Sequence, residues 1–242
     1  MSCECVELRL MSRYNHEIPD QRQLWNRQHA TRGLALEGSE SLKFTPNTSA
    51  IEFSQHLNKG STILEVGSAN GRDARYWASL GHNVLAIDFS DVALEQMKEL
   101  AIEQMVVEMV TPILWDIGRG CFPLTDIPES VDAFYARSAL HIDDTTMYKL
   151  AFELDHLLVP GGVVFVEGKG PKDAKITRSR AVGCNLVIDE EEEGHLRRVW
   201  TCRFARQLCE TMRWGILNLQ DRQEKWNGVP ATFMRLLAQK GY

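Results

Sequence analysis

The sequence lacks several features that define whole classes of protein. No apolar run approaches the roughly 18–20 residues that a helix needs to cross a bilayer, and the first residues carry no apolar segment of the secretory type. The chain also has no internal repeat and no linker rich in Pro, Gly or Ser. These absences argue against membrane, secreted and repeat proteins, so we expect a cytoplasmic protein with reduced cysteines.

Metal-binding patterns are also missing. The chain has 7 His and 6 Cys residues, but they show no zinc-site spacing. Cys3 and Cys5 stand close together, yet one Cys-x-Cys pair is weak evidence for a metal site. We therefore expect no metal cofactor.

The composition itself is ordinary, but the charge is distributed unevenly. The 242 residues are 44% hydrophobic and 25% charged, which is typical of a globular protein with a buried core. The formal net charge is −6, made up of −10 over residues 1–165 and +4 over residues 166–242. The acidic first part argues against a general nucleic-acid partner, whereas the basic tail leaves an anionic partner open.

Short apolar runs alternate with helical spacing from residue 61 onward. The runs predict strands at 62–66, 83–88, 106–114, 131–136 and 163–166, the third of them interrupted by Pro112. This alternation predicts an α/β fold with a doubly wound, mostly parallel sheet and helices on both faces. Ligands in such folds bind beyond the carboxyl ends of the strands. The residues just after each strand are therefore the candidates for a site.

The predicted elements divide the chain into an N-terminal segment and one main domain. We take residues 1–60 as an N-terminal extension or lid and 61–242 as the main domain, with a charged insertion at about 168–200. Further elements are predicted as helices at 22–29, 49–57 and 200–212 and as closing strands at 214–219 and 231–238.

A glycine-rich turn, Glu65-Val-Gly-Ser-Ala-Asn-Gly71, follows the first strand. Glycines allow backbone amides to approach a ligand at a helix N-terminus. A dinucleotide site would have Gly-x-Gly-x-x-Gly, but Ala69 replaces the second glycine and the acid Glu65 precedes the first. A carboxylate here would repel a pyrophosphate and suits a cationic amino group. A plain strand-to-helix turn is the alternative.

Acids also end the next two strands. Asp88 follows the second strand, where a carboxylate can accept hydrogen bonds from both hydroxyls of a ribose. Phe89 beside it can cover one face of an adenine ring. The third strand ends in Trp115-Asp116-Ile117, which offers another aromatic ring and an acceptor for an exocyclic amine. Three successive strand-end acids predict one binding site for an adenosine-containing ligand.

Together these motifs resemble the class I S-adenosylmethionine-dependent methyltransferases. The resemblance covers roughly residues 61–167 and also rests on Asp132-Ala-Phe-Tyr-Ala-Arg-Ser-Ala-Leu-His141 and Leu158-Val-Pro-Gly-Gly162. The sequence departs from the family at Ala69, where the family has glycine. The resemblance implies a seven-stranded sheet with its last strand antiparallel, and S-adenosylmethionine as cofactor.

The resemblance also implies roles for individual residues. The glycine-rich turn would hold the methionine moiety, Asp88 the ribose, and Phe89 with Asp116 the adenine. The residues expected to bind the cofactor are Glu65, Gly67, Ser68, Ala69, Gly71, Asp88, Phe89, Trp115, Asp116, Ile117 and Arg137.

The candidates for catalysis follow the fourth strand. His141 is the best general base because an imidazole titrates near neutral pH, although such a histidine can also simply pack or cap. Arg137, at the start of this stretch, is expected to touch the cofactor. No Asn-Pro-Pro-Tyr motif follows the strand, which argues against methylation of a planar amide or an adenine amine.

The tail supplies the candidates for the acceptor side. Glu167 with a downstream Gly-His-x-Arg segment resembles a subgroup of small-molecule methyltransferases, which implies that Glu167, His195, Arg197 and Arg198 face the substrate. The basic residues of 168–182 can bind an anionic acceptor, or can be neutralised by the five acids at 189–193. Trp25, Asn26, His29 and Phe44 are expected to lie across the cofactor as a lid, or else to pack on the sheet.

We therefore expect an enzyme that methylates O, N or S of a small metabolite or short peptide, with an anionic acceptor as the specific hypothesis. Three alternatives stay open, namely an RNA or protein methyltransferase, a non-catalytic S-adenosylmethionine-binding protein and an NAD-dependent oxidoreductase. Membrane association is not expected, and the oligomeric state is left open.

Overall fold

The computed structural model describes residues 18–32, 45–226 and 229–241. Phe44, Cys3 and Cys5 lie outside the described residues. Cys121, Cys184, Cys202 and Cys209 are free thiols. Among the helices of the described part, none is both long and apolar enough to pass through a bilayer.

Seven helices lie along the described chain. They are α1 (Gln21–Arg32), α2 (Thr48–Ser54), α3 (Arg72–Ser79), α4 (Asp91–Glu103), α5 (Asp144–Leu157), α6 (Ala174–Arg178) and α7 (Cys202–Met212). Side-chain caps fix several of their first turns. Ser90 accepts from the amide of Ala93 at the start of α4, and Asp143 accepts from that of Thr146 at the start of α5.

Ten strands form two sheets. They are β1 (Thr62–Val66), β2 (Asn83–Asp88), β3 (Val110–Leu114), β4 (Val131–Arg137), β5 (Leu158–Lys169), β6 (Arg180–Gly183), β7 (Leu186–Asp189), β8 (His195–Arg198), β9 (Trp214–Trp226) and β10 (Val229–Lys240). The main sheet has seven strands in the order β3-β2-β1-β4-β5-β10-β9. Strands β1 to β5 pair in parallel, and β10 is inserted antiparallel between β5 and β9. The fold predicted from the sequence is confirmed.

The alternating side chains of the strands bury two separate apolar layers. Ile63, Ala133 and Tyr135 point to the layer formed with α2, α3 and α4. Their neighbours Leu64 and Phe134 point to the opposite layer, which α5 and α7 cover. Helices therefore cover both faces of the sheet, as doubly wound folds require.

Several predicted boundaries change. The strand expected at 106–114 begins only at Val110, because residues Val107–Met109 form a 3-10 turn. Pro112 is tolerated because β3 is an edge strand of the sheet. A proline on such a strand can turn its missing N–H toward the side that has no neighbouring strand, so no hydrogen bond between strands is lost. The strand expected at 163–166 extends over the whole of β5, and both closing strands are longer than predicted.

The charged insertion is folded. Instead of a solvated loop, residues after β5 form α6 and a second antiparallel sheet in the order β6-β7-β8. Asp173 caps α6, and Asp189 at the end of β7 is buried. The insertion thus forms a folded unit that contacts β5 through β8.

A buried charge cluster joins the sheet to the N-terminal part. Glu167 on β5 is 1% exposed and accepts hydrogen bonds from Arg137 Nε at 2.7 Å and Arg235 Nε at 2.6 Å. Ser49 Oγ on α2 donates to the same carboxylate at 3.1 Å, and Arg235 also pairs with Glu52. One carboxylate therefore connects β4, β5, β10 and α2.

Replacing Glu167 with Gln should strongly destabilise the protein. The change leaves two arginines beside an uncharged group in the interior, and breaking a buried ion pair costs about 3–5 kcal/mol. Urea unfolding should show that loss in the free energy of unfolding. The matched change Glu129→Gln, at an exposed position, should stay within about 0.5 kcal/mol. A loss below about 1 kcal/mol for Glu167→Gln would show that the cluster does not support the fold.

Candidate functional site

A cavity of about 430 Å³ lies at the carboxyl ends of the central strands. Its walls come from the segments after β1, β2, β3 and β4, and Trp25 and His29 of α1 also line it. The chain order reverses between β1 and β4, which is the topological switch point where ligands bind in this fold. The cavity is therefore placed where the sequence predicted a site.

The turn after β1 leaves no room for larger side chains. Gly67 has φ +75°, and a Cβ built on it would stand 2.1 Å from Cβ of Ala139. Gly71 has φ +73°, and its Cβ would stand 2.3 Å from Cγ of Met97. Ala69 between them also adopts a left-handed conformation, with φ +49°. The departure from the family pattern thus falls on a residue whose conformation favours glycine.

Asp88 holds the turn in place. Its Oδ2 accepts from the amide of Ala69 at 2.9 Å, and its Oδ1 accepts from the amide of Ser90 at 2.8 Å. Burial raises the pKa of Asp88, although these backbone hydrogen bonds oppose the shift. Each carboxylate oxygen keeps a second lone pair for a ligand.

Glu65 presents an unsatisfied buried carboxylate. The residue is 4% exposed and lines the cavity, and its Oε2 has no hydrogen-bond partner. Burial raises the pKa of Glu65 well above its usual value, and the nearby acids Asp73 and Asp88 raise it further. A cationic ligand group would relieve this cost.

The residues predicted to bind adenine lie at one cavity. Phe89, Trp115, Asp116 and Ile117 all line the cavity. Trp115 is held by a hydrogen bond from its Nε1 to the carbonyl of Cys121 at 2.8 Å. Asp116 is exposed, and its Oδ1 accepts from the amide of Gly118 at 2.8 Å.

His141 lines the cavity in a form that does not suit the predicted general base. Its Nδ1 accepts the backbone N–H of Arg198 at 3.2 Å. Burial, followed by the positive charge of Arg197, lowers the pKa of His141 to about 3. The neutral ring therefore carries its one proton on Nε2, which has no partner. This geometry favours a hydrogen-bond donor over a proton acceptor.

Helix α1 lies against the cavity between two parts of the fold. Gln21 bonds to the small sheet, where its Oε1 accepts from the amide of Leu196 at 2.9 Å. On the other side, Asn26 donates to Asp91 of α4 at 2.6 Å. Trp25 stacks on His195 with ring centroids 4.6 Å apart and lies 5.9 Å from the ring of His29.

Five predicted site residues do not line the cavity, namely Gly71, Glu167, His195, Arg197 and Arg198. Gly71 caps α3, and Glu167 lies behind Arg137, which does line the cavity. His195 backs Trp25, and Arg197 pairs with Asp189 and Glu192. Glu167, His195 and Arg198 instead contact the lining residues Arg137, Trp25 and His141, respectively.

The basic residues of the insertion are neutralised by its acids. Lys175 pairs with Glu192, Arg178 with Glu191 and Arg180 with Glu190. Lys169 pairs with Asp173, and Arg198 pairs with Asp144 of α5. The basic tail therefore does not present a cationic surface to the cavity.

The sequence analysis did not predict one group of residues that line the cavity, namely Asp73, Asn47 and Tyr135. Asp73, in the first turn of α3, accepts from the backbone N–H and the side-chain amide of Asn47 at 2.8 and 2.7 Å. The hydroxyl of Tyr135 lies 3.5 Å from the same carboxylate. An acid just after a glycine-rich turn was a usable signal for Asp73. Nothing local pointed to Asn47, which is 26 residues away.

Within the described ranges, no group of three or more His, Cys, Asp or Glu side chains is arranged to hold a metal ion.

Comparison with known proteins agrees with this geometry. Residues 63–162 match the family model described as a methyltransferase domain. No curated protein sequence matches the chain.

Solved structures share the fold at low identity. A 1,6-didemethyltoxoflavin-N1-methyltransferase from Burkholderia thailandensis, with bound 1,6-didemethyltoxoflavin and S-adenosylhomocysteine, is 16% identical, with 95% of this chain and 92% of that chain covered and a TM-score of 0.65. An S-adenosylmethionine-dependent methyltransferase from Methanosarcina mazei is 17% identical, with 78% and 97% covered and a TM-score of 0.62. The [4+2]-cyclase SpnF is 16% identical, with 79% of each chain covered and a TM-score of 0.62. At these identities the likeness shows the fold.

The match over residues 63–162, the strand order and the cavity together support a class I S-adenosylmethionine-dependent methyltransferase domain.

Replacing Ala69 with Gly should stabilise the protein. Glycine adopts φ near +49° without the contact between Cβ and the carbonyl oxygen, so we expect a gain of up to about 1 kcal/mol in the free energy of unfolding. Ala30→Gly, on the exposed face of α1, should instead cost about 0.5–1 kcal/mol. Denaturant unfolding measures both. A loss of stability for Ala69→Gly would show that the left-handed turn is not strained.

Proposed function

We propose that the protein transfers the methyl group of S-adenosylmethionine to a small molecule. The observation that carries this proposal is that the acids ending three successive strands, Glu65, Asp88 and Asp116, surround one cavity. Trp25 and His29 of helix α1 and Leu196 of the small sheet also line this cavity. An acceptor must therefore share a space of about 430 Å³ with the cofactor, which favours a small metabolite or a short peptide over a folded partner.

The charge of the cavity fits this cofactor. Five carboxylates and three arginines line it, whereas S-adenosylmethionine carries a sulfonium and an ammonium against one carboxylate. The unpartnered Oε2 of Glu65 would bind the ammonium group. A pyrophosphate-bearing dinucleotide would add negative charge beside Glu65, which disfavours an NAD-dependent oxidoreductase.

Each strand end would hold one part of the cofactor. Asp88, already oriented by the amides of Ala69 and Ser90, would accept hydrogen bonds from the ribose hydroxyls. Phe89 and Trp115 would enclose the adenine, with Asp116 accepting from its amine. Arg137, fixed by Glu167 at 2.7 Å, would face the methionine carboxylate.

The chain's own task is mainly positioning. The cofactor supplies a methyl group that is already activated on sulfur, so orienting the acceptor accounts for most of the required catalysis. Ser138 and His141 follow β4 on the acceptor side of the cavity. Trp25 and His29 of α1 would exclude water as a lid over the acceptor.

One solved structure of the same fold supports a small acceptor without naming one for this chain. The Burkholderia enzyme was solved with bound 1,6-didemethyltoxoflavin. The cyclase shows that the same fold also carries a different reaction, so methyl transfer must be demonstrated directly.

Asp88→Asn should weaken the binding of S-adenosylhomocysteine by about 10- to 100-fold, because hydrogen bonds to a charged acceptor contribute about 1.5–3 kcal/mol. Isothermal titration calorimetry measures the change. Asp126→Asn, at an exposed position away from the cavity lining, should bind like the parent protein. Equal affinities for the two variants, or binding of NAD in preference to S-adenosylhomocysteine, would refute the ribose assignment.

Cofactor binding should release a proton from Glu65. Burial keeps the pKa of Glu65 raised in the free protein, and a bound ammonium would lower it. Between these two pKa values the free carboxyl is protonated and the bound one ionised, so affinity rises with pH. Calorimetry in buffers of different ionisation enthalpy should detect this release with S-adenosylhomocysteine.

Two controls isolate the effect. The release should vanish in Glu65→Gln, and it should be absent with 5′-methylthioadenosine, which lacks the amino group. An equal release with both ligands would assign the proton to another residue.

A further inference from the structure

We propose that His141 Nε2–H is the hydrogen-bond donor that recognises the methyl acceptor, and that the acceptor is a neutral, planar heteroaromatic molecule with a carbonyl oxygen or ring nitrogen. This inference rests on the proposed function, since it names the acceptor of the same cavity.

The first step is the hydrogen-bonding state of His141. Its Nδ1 is already the acceptor for Arg198 N–H at 3.2 Å, so that nitrogen carries no hydrogen. The ring's single proton then lies on Nε2, which is buried and has no partner. A buried donor without an acceptor costs about 1–3 kcal/mol, and a ligand lone pair would remove that cost.

The second step is the lack of an available cation. Three arginines line the cavity, and a side-chain nitrogen of each lies within 4.0 Å of a carboxylate oxygen. The pairs are Arg22 with Asp91 at 3.8 Å, Arg72 with Asp73 at 3.8 Å and Arg137 with Glu167 at 2.7 Å. Carboxylates outnumber arginines by two along the wall. An anionic acceptor would therefore have to displace one of these carboxylates from its arginine or bear an uncompensated desolvation cost. The anionic acceptor expected from the basic tail is thus disfavoured.

The third step is the shape of the acceptor wall. Trp25 lines the cavity and is held by its stack on His195, at an interplanar angle of 12°. His29, 3% exposed, adds a second ring and an unpartnered Nδ1. Burial lowers the pKa of His29 to about 4, so this ring is also neutral near pH 7. A fixed indole beside neutral imidazoles suits a flat aromatic ligand that stacks and shares a few hydrogen bonds.

The test uses two bicyclic probes of similar size on the full chain, with and without saturating S-adenosylhomocysteine. 4-Quinolone is neutral and carries a carbonyl, and 2-naphthoate is anionic. Calorimetry or ligand-observed NMR gives the dissociation constants. We expect 4-quinolone to bind several-fold more tightly than 2-naphthoate. Tighter binding of 2-naphthoate, or no binding of 4-quinolone at millimolar concentration, overturns the proposal.

A matched pair of variants isolates the donor. In His141→Asn the amide oxygen can still accept Arg198 N–H, but no group reaches the position of Nε2. In His141→Gln the amide nitrogen restores a donor there. We expect 4-quinolone affinity to fall about 3- to 10-fold in His141→Asn and to stay within about 2-fold of the parent protein in His141→Gln. His56→Leu, at an exposed position, serves as the control.

The outcomes separate the two proposals. Unchanged 4-quinolone binding in His141→Asn, or an equal loss in both variants, overturns the donor role. S-adenosylhomocysteine affinity is measured on the same samples. If S-adenosylhomocysteine does not bind the parent protein, the proposed function is contradicted. The 4-quinolone and 2-naphthoate measurements made without S-adenosylhomocysteine still decide the recognition role of His141.

Discussion

The excess of carboxylate around one partly enclosed cavity is the constraint on which the site depends. Glu65, Asp73 and Asp88 are buried close together, and Glu65 keeps an oxygen without a partner. Their proximity raises the pKa of Glu65 well above its usual range. The free protein thus stores an electrostatic cost that a ligand with an ammonium and a sulfonium can relieve. We expect selectivity for S-adenosylmethionine over a pyrophosphate cofactor from the same charges.

The scaffold holds these acids in place from two sides. Asp88 fixes the turn after β1, and the two left-handed residues Ala69 and Ser138 bring that turn and the end of β4 to the cavity. Behind the wall, Glu167 binds Arg137 and Arg235. Strain and buried charge are thus concentrated next to the ligand space, where functional sites commonly keep them.

The sequence was most informative where one residue type determines the local geometry. Strand ends, glycines and acids are short-range signals, so the sheet and the cofactor side could be predicted. The acceptor side depends on tertiary contacts. The pairing of Glu167 with Arg235, 68 residues away, and the bond from Arg198 N–H to His141, 57 residues away, have no local signature. These contacts place Glu167 behind Arg137 and occupy Nδ1 of His141 with Arg198 N–H. For the basic residues of 168–182 the sequence left two interpretations open, and the ion pairs of Lys175, Arg178 and Arg180 with acids of 189–193 favour neutralisation over an anionic acceptor.

A crystal structure of the S-adenosylhomocysteine complex would test most directly whether the carboxylate-rich cavity holds the cofactor. We predict the ligand ammonium within about 3.2 Å of Glu65 Oε2, a normal hydrogen-bond distance, with both ribose hydroxyls on Asp88. A ligand bound outside this cavity, or one whose amino group points away from Glu65 and leaves its Oε2 unpartnered, would contradict the assignment.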